Sequence, residues 1–202
     1  MFLRTASVFD IEPTVRGRAV YLRPPIVPDY LAWASLRSES RAFLARWEPL
    51  WPEDDLTRPA FRRRIRRYHR DMREDQSYPF LVFRQEDHVL VGGLSLSYVR
   101  RGVAQACSLG YWVGVPFARH GYMSDAVEAV LQFAFGTLRL HRVEAACLPY
   151  NAPSIGLLEK VGFQREGYAR RYLCINGAWQ DHLLFAVLSD DPLCGRGAAA
   201  EW

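Results

Sequence analysis

Residues Leu109–Ala126 read LGYWVGVPFARHGYMSDA, and the order of residue types in that stretch decides how the chain is built. An apolar strand runs through a short turn of Gly, Arg and His into the start of a helix. Such a junction leaves the backbone N–H groups of Arg119, His120, Gly121, Tyr122 and Met123 without helical partners, and the helix dipole adds partial positive charge there. Gly121 is the pivot. With no Cβ it lets the backbone approach an anion closely, and Arg119 and His120 bring side-chain charge to the same place. The turn is not a P-loop, because no Gly-Lys-Ser/Thr follows, nor is it a Gly-x-Gly-x-x-Gly dinucleotide turn. From spacing alone it is either a diphosphate site or a connection satisfied by water.

Working outward, Met123, Ala126, Val127, Val130, Leu131, Ala134 and Phe135 follow the spacing of an amphipathic helix that packs on a sheet. Arg142–Leu148 is predicted as a strand with Val143, Ala145 and Cys147 on one face and Glu144 and Ala146 on the other. Asn151–Val161 is predicted as a short helix with Ile155, Leu158 and Val161 as its apolar stripe and Gly162 at its end. Arg170–Ile175 and Trp179–Leu188 flank Asn176-Gly177, the turn of a tight hairpin. Upstream, Tyr78–Arg84, Val89–Val99 and Gln105–Val113 form an antiparallel meander, with Gly92-Gly93 marking a bulge or a close backbone contact. Before them come a strand at Ala19–Arg23, one or two helices from Asp29 to Trp47, and a helix starting at Thr57-x-Pro59. The expected architecture is a single α+β domain over residues 1–189. Its mixed, mostly antiparallel central sheet is flanked by helices, and residues 190–202 form a loose tail.

The chain has 202 residues, half of them apolar and 24% charged, as in a globular protein with a real core. No apolar run approaches membrane-spanning length and residues 1–13 lack a signal-peptide pattern, so the expectation is a cytoplasmic protein without membrane contact, monomeric or dimeric. The four cysteines (Cys107, Cys147, Cys174, Cys194) are far apart, which argues for reduced thiols and against a metal site or disulfides. Lys160 is the only lysine, so the formal charge of +4 is carried almost wholly by arginine. That charge is densest in RRRIRRYHR, Arg62–Arg70, where Phe61, Ile65 and Tyr68 or His69 recur at helical spacing. The segment is read as a solvated amphipathic helix, or as a weak contact to ribosomal RNA or an acidic partner.

Four segments carry a resemblance to a known family: LGYWVGVPFARHGYMSDA (109–126), HRVEA (141–145), YNAPSIGLLEKVGFQREG (150–167) and YLCINGAWQDHLL (172–184). The chain resembles the GNAT superfamily of acetyl-CoA-dependent N-acetyltransferases, and within it the RimJ and RimL enzymes that acetylate N-terminal alanines of ribosomal proteins. The match covers most of residues 78–188 and is looser before residue 75. The resemblance implies a sheet splayed at the acetyl-CoA site, with backbone groups at Val113 and Val115 pairing with the pantetheine arm. It also implies that the turn Arg119, His120, Gly121, Tyr122, Met123 and Ser124 cradles the pyrophosphate. The chain departs from the family turn at Ala118, where Gln or Arg is usual, and at Met123, where a small residue is usual. By the same resemblance Asn151 contacts the coenzyme and Ser154 faces the thioester; read from the residues alone, Asn151 is a helix cap receiving the Ser154 amide.

Acyl transfer to an amine needs a neutral nucleophile and a leaving thiolate. An α-amine has a reference pKa near ~8 against ~10.4 for lysine, so its lone pair is freed at neutral pH for about 3 kcal/mol less, and a strong base is optional. The tyrosine acid of related N-terminal acetyltransferases is replaced by Leu158, which leaves Ser154 or its water to assist the thiol. Glu144 is the first candidate for a base acting through water; the alternative is a Glu paired with Arg142 or a sheet neighbour. Asp181, near His182, reads as a satisfied hydrogen-bond acceptor. The expected function is acetyl transfer from acetyl-CoA to a protein N-terminus, plausible acceptors being ribosomal proteins. The rivals are a small-molecule acetyltransferase, a non-catalytic acyl-CoA-binding module, and an RNA-binding protein using Arg62–Arg70.

Overall fold

Strand β3 (Tyr78–Arg84) is apolar on both sides: Phe80 and Val82 pack into one cluster, Leu81 and Phe83 into another. A strand with two dry faces needs helices on both. A computed structural model, describing residues 14–192, shows how they are supplied. The other strands are β1 (Val15–Arg16), β2 (Val20–Arg23), β4 (Leu90–Arg100), β5 (Ala106–Val113), β6 (Arg142–Cys147), β7 (Gln164–Ile175) and β8 (Ala178–Leu188). The helices are α1 (Tyr30–Glu39), α2 (Arg41–Leu44), α3 (Arg58–Arg73), α4 (Tyr122–Gln132) and α5 (Ala152–Lys160). The strands form one sheet in the order β1-β2-β3-β4-β5-β6-β8-β7, antiparallel except where β5 meets β6. This is the expected α+β arrangement.

A parallel pair requires a long crossover, and α4 provides it. Met123, Ala126, Val127, Val130, Leu131 and the following Ala134 are buried against the sheet, while Phe135 is only half-buried. Each fully buried Val or Leu there stabilises the fold by roughly 1.5–3 kcal/mol. The helix then widens: the Leu138 N–H donates to the Phe133 carbonyl, five residues back, at 3.0 Å. Asp125, in the first turn of α4, is buried and accepts the backbone N–H groups of Arg18, Ala19 and Val20 at 2.7–3.1 Å, fastening the β1–β2 turn to the helix.

On the other face α1 and α3 press Trp33, Leu36, Phe61 and Ile65 against Leu81, Phe83 and Leu90. Thr57 caps α3, its Oγ1 accepting the Ala60 N–H at 3.4 Å. The arginines of α3 are partly spent within the molecule: Arg63 pairs with Asp54, Arg64 with Asp55 at 2.5 Å, and Arg67 and Arg70 approach Asp71 at 4.0 and 3.5 Å.

The meander, the α4 stripe and the Asn176-Gly177 turn, with φ of +46° and +79°, stand where the residues place them. Two elements differ from expectation. The pair β1–β2 begins the sheet one strand earlier. β7 starts at Gln164 rather than Arg170, because an edge strand exposed along most of its length shows no apolar alternation and is defined by its pairing to β8. The expectations for residues 1–13 and for 193–202, with Cys194, lie outside the described residues.

Candidate active site

β5 and β6 are paired only from Ala106–Leu109 against Arg142–Ala145. Beyond Leu109 the two strands part, and Gly110–Val113 keep a partner, β4, on one side alone. Which groups face the gap follows from register. The Gly114 N–H donates to the Val91 carbonyl at 2.9 Å, so Trp112–Gly93 and Gly110–Ser95 are the hydrogen-bonded pairs of the β4–β5 ladder. The N–H and C=O of Tyr111 and Val113 therefore point to the open edge, which is the arrangement an added extended chain pairs with. Val115 differs: its N–H is taken by Ser40 Oγ at 2.9 Å.

At the end of this strand the chain turns with Arg119 at φ +65° and Gly121 at φ +82°. A Cβ on Gly121 would meet no atom within 4 Å, so the space in front of the turn is open while the backbone itself favours glycine. No side chain caps α4. The amides of Tyr122, Met123 and Ser124, its first three residues, thus form the dipole-positive mouth of the helix, with the exposed Arg119 and His120 beside it. Two side chains here have partners of their own: His120 Nδ1 lies 2.9 Å from the Ala118 carbonyl, and Tyr122 Oη accepts from Arg84 at 3.4 Å.

Across the gap, Asn151 caps α5, its Oδ1 accepting the Ser154 N–H at 3.3 Å. The capping role read from the residues is therefore present. Ser154 Oγ faces Tyr111 Oη at 2.7 Å, and the Cys147 thiol, at the end of β6, lies beside Ser154. Burial pushes the Tyr111 hydroxyl well above the usual phenol range and the Cys147 thiol up to about 11, so both stay protonated at neutral pH. Nothing local in the sequence links Tyr111 to Ser154, 43 positions away, so this pair shows only in the fold. Leu158, one turn after Ser154 on α5, is buried and apolar and supplies no hydroxyl.

Glu144 has the ion-pair partners named in the second of the two readings given to it. Its carboxylate is held by Arg100 at 2.5 Å and Arg142 at 3.0 Å, on the stretch of β6 still paired to β5, and Arg142 also binds Glu166. A carboxylate committed to two guanidinium groups is an ion-pair partner first. Asp181 is half-buried and accepts from Tyr168 Oη and the Arg171 N–H, clasping the bulge in β7, and His182 is buried behind it.

On the opposite face of β5 a cavity of about 240 Å³ lies between the sheet and α1–α3, lined by Trp33, Phe61, Arg64, Ser95, Gly110 and Trp112, with Glu48 in its wall. The Gly92-Gly93 contact foreseen in the sequence is here: a Cβ on Gly93 would sit 2.4 Å from Trp112 Nε1, so only glycine lets that indole lie on the strand. Among the described residues no cluster of His, Cys, Asp and Glu is arranged to hold a metal, and no helix is long and apolar enough to cross a membrane.

The chain and its fold have known relatives. Residues 19–164 match the model of the acetyltransferase (GNAT) domain. The chain belongs to the GNAT acetyltransferase family. It is 37% identical over 177 residues to the probable N-acetyltransferase YjcK of Bacillus subtilis, covering 88% of this chain and 98% of that protein. It is 33% identical over 186 residues to the ribosomal protein uS5-alanine N-acetyltransferase of Escherichia coli, covering 91% and 96%. Among solved structures, Mycobacterium smegmatis RimJ in complex with CoA-disulfide superposes with a TM-score of 0.83 at 32% identity, over 88% of each chain. As a GNAT protein the chain is an acetyl-CoA-dependent N-acetyltransferase.

Proposed function

We propose that this GNAT enzyme acetylates the N-terminal α-amine of a protein, with a ribosomal protein as the acceptor. The observation that carries this reading is the parting of β5 from β6 at Leu109, which opens backbone groups of Tyr111 and Val113 to the coenzyme next to the Tyr111–Ser154 pair. The acceptor is supported by the E. coli relative, which is named for acetylating the alanine of ribosomal protein uS5.

Acetyl-CoA supplies the activated acetyl group as a thioester. Val113 and Tyr111 hold the pantetheine arm as an added strand. The Arg119–Ser124 turn binds the diphosphate, with Arg119 in place of the side chain missing at Ala118. Asn151, through its cap, fixes the first turn of α5 and so the direction of Ser154 Oγ. Tyr111, kept protonated by burial, donates to Ser154 Oγ, which leaves the serine proton to meet the departing thiolate. The incoming α-amine, with a reference pKa near ~8, gives up its proton to water at modest cost. Glu144 holds Arg100 and Arg142 in place and does not carry that proton.

The test is a panel of peptides carrying the N-terminal sequences of ribosomal proteins, incubated with enzyme and acetyl-CoA and read by fragment mass spectrometry. Acetyl groups on first-residue α-amines are expected. Turnover with small amines and with none of the peptides would establish the small-molecule reading instead.

A further inference from the structure

The cavity beneath β4 and β5 holds a carboxylate that the chemistry above does not use. Glu48 lies in the loop after α2 and is drawn into the wall of the cavity. Arg37 donates to both its oxygens, Nη1 to Oε1 at 2.7 Å and Nη2 to Oε2 at 2.8 Å, and Trp51 Nε1 donates to Oε2 at 2.7 Å. The guanidinium is itself buried, with the Trp51 ring 4.0 Å and the Trp112 ring 4.9 Å from its central carbon. A carboxylate has about four acceptor sites. Two on Oε2 and one on Oε1 are taken, so Oε1 keeps one free.

The loop that carries Glu48 is pinned to the coenzyme side of the molecule. The Asn176 N–H, at the β7–β8 turn, donates to the Glu48 carbonyl at 2.9 Å. The Trp47 ring lies 5.9 Å from that of Tyr150, the residue before the Asn151 cap of α5. Glu48 is thereby fixed relative to Ser154 rather than left on a free loop. Gly110 and Tyr111 line the same cavity as Glu48, and a Cβ on Gly110 would have only Ser95 Oγ, at 3.7 Å, within reach, so there is room beside the strand that carries Tyr111. The cavity is smaller than the roughly 300–1,000 Å³ of drug-sized sites, which suits one or two small residues of an extended chain.

We infer that Glu48 is the anchoring carboxylate of the acceptor site. Its free Oε1 position accepts a hydrogen bond from the incoming ammonium and holds that nitrogen in the cavity beside Gly110 and Tyr111 as its proton is lost to water. The inference rests on the acceptor reading proposed above and gives it a recognition element: a primary ammonium followed by a small first side chain, with bulky first residues excluded by Trp33, Phe61 and Trp112.

The experiment compares wild type with Glu48→Gln and Glu48→Asp. Glu48→Asp keeps both oxygens for Arg37 but withdraws them from the cavity by one methylene, so it guards against misfolding of the first variant. Acetyl-CoA affinity by calorimetry and thermal unfolding confirm an intact coenzyme site. The expected result is an acceptor KM raised about tenfold or more in Glu48→Gln, and less in Glu48→Asp, with the acetyl-CoA dissociation constant unchanged. An acceptor KM within twofold of wild type, in a variant that folds and binds acetyl-CoA normally, would overturn the assignment. If wild type acetylates only a small amine, the peptide-acceptor reading fails separately, and the same comparison with that amine decides the role of Glu48.

Discussion

Tyr111 Oη and Ser154 Oγ stand 2.7 Å apart across the gap where β5 leaves β6, joining the strand with the open edge to the helix that follows the next strand. With Tyr111 as the donor, as proposed above, the serine is the hydroxyl with a proton to spare. Ser154→Ala is therefore expected to lower kcat by roughly tenfold to a hundredfold, the range of one lost hydrogen bond to a charged group. Tyr111→Phe, which loosens the serine without removing its proton, should cost less. Steady-state kinetics checks both; an unchanged kcat in Ser154→Ala would remove the serine from the chemistry.

Gly121 sets the turn proposed to bind the diphosphate. A valine at φ +82° strains the backbone by about 1–2 kcal/mol and puts side-chain bulk into the open space in front of the α4 amides. Against a typical stability of about 5–15 kcal/mol the protein should still fold. Gly121→Val is expected to raise the apparent acetyl-CoA constant with little change in the melting transition. An unchanged constant would place the diphosphate elsewhere.

For Glu144 the ion-pair arrangement makes a prediction opposite to that of a general base. Base assistance contributes about 10²–10⁴-fold. Glu144→Gln is instead expected to reduce turnover less than tenfold and to cost no more than about 1 kcal/mol in stability, as for partly exposed pairs. kcat/KM for the acceptor should rise tenfold per pH unit and level near the α-amine pKa of ~8, alike in wild type and variant. A loss of a hundredfold or more at neutral pH, partly rescued at high pH, would return Glu144 to the role of base.

The cysteines offer a check on burial around the gap. Thiolate is the reactive form, and burial pushes Cys107 up to about 12 and Cys147 up to about 11, whereas Cys174 is exposed. In a Cys194→Ser background, iodoacetamide at pH 8 should label Cys174 and spare the other two, as read by peptide mass mapping. Rapid labelling of Cys147 without loss of fold would show that the gap is wetter than described.

Much of this was legible in the residues. Gly121, Asn176-Gly177 and the 3.6-residue stripe of α4 declare themselves because backbone sterics and helical periodicity are local properties. The Asn151 cap is local in the same way, its donor three residues on. The elements that were missed depend on register. Glu144 finds Arg100, 44 residues away, only because β4, β5 and β6 lie side by side with Ser97, Ser108 and Glu144 in line. Tyr111 meets Ser154, and Glu48 reaches the cavity, through the same kind of long-range placement. β7 is exposed along most of its length and carries no apolar pattern, so its full extent shows only in its pairing with β8.

The most direct measurement of the central claim is the rate of acetyl transfer to two peptides that share their sequence from the third residue onward. One has a free alanine α-amine and no lysine; the other is blocked at the N-terminus and carries a free lysine at the second position. The difference in amine pKa alone favours the α-amine on the order of a hundredfold at pH 7, and the acceptor site is expected to widen that ratio. Acetylation confined to the free N-terminus is the predicted result. Equal rates on the two peptides would contradict the account.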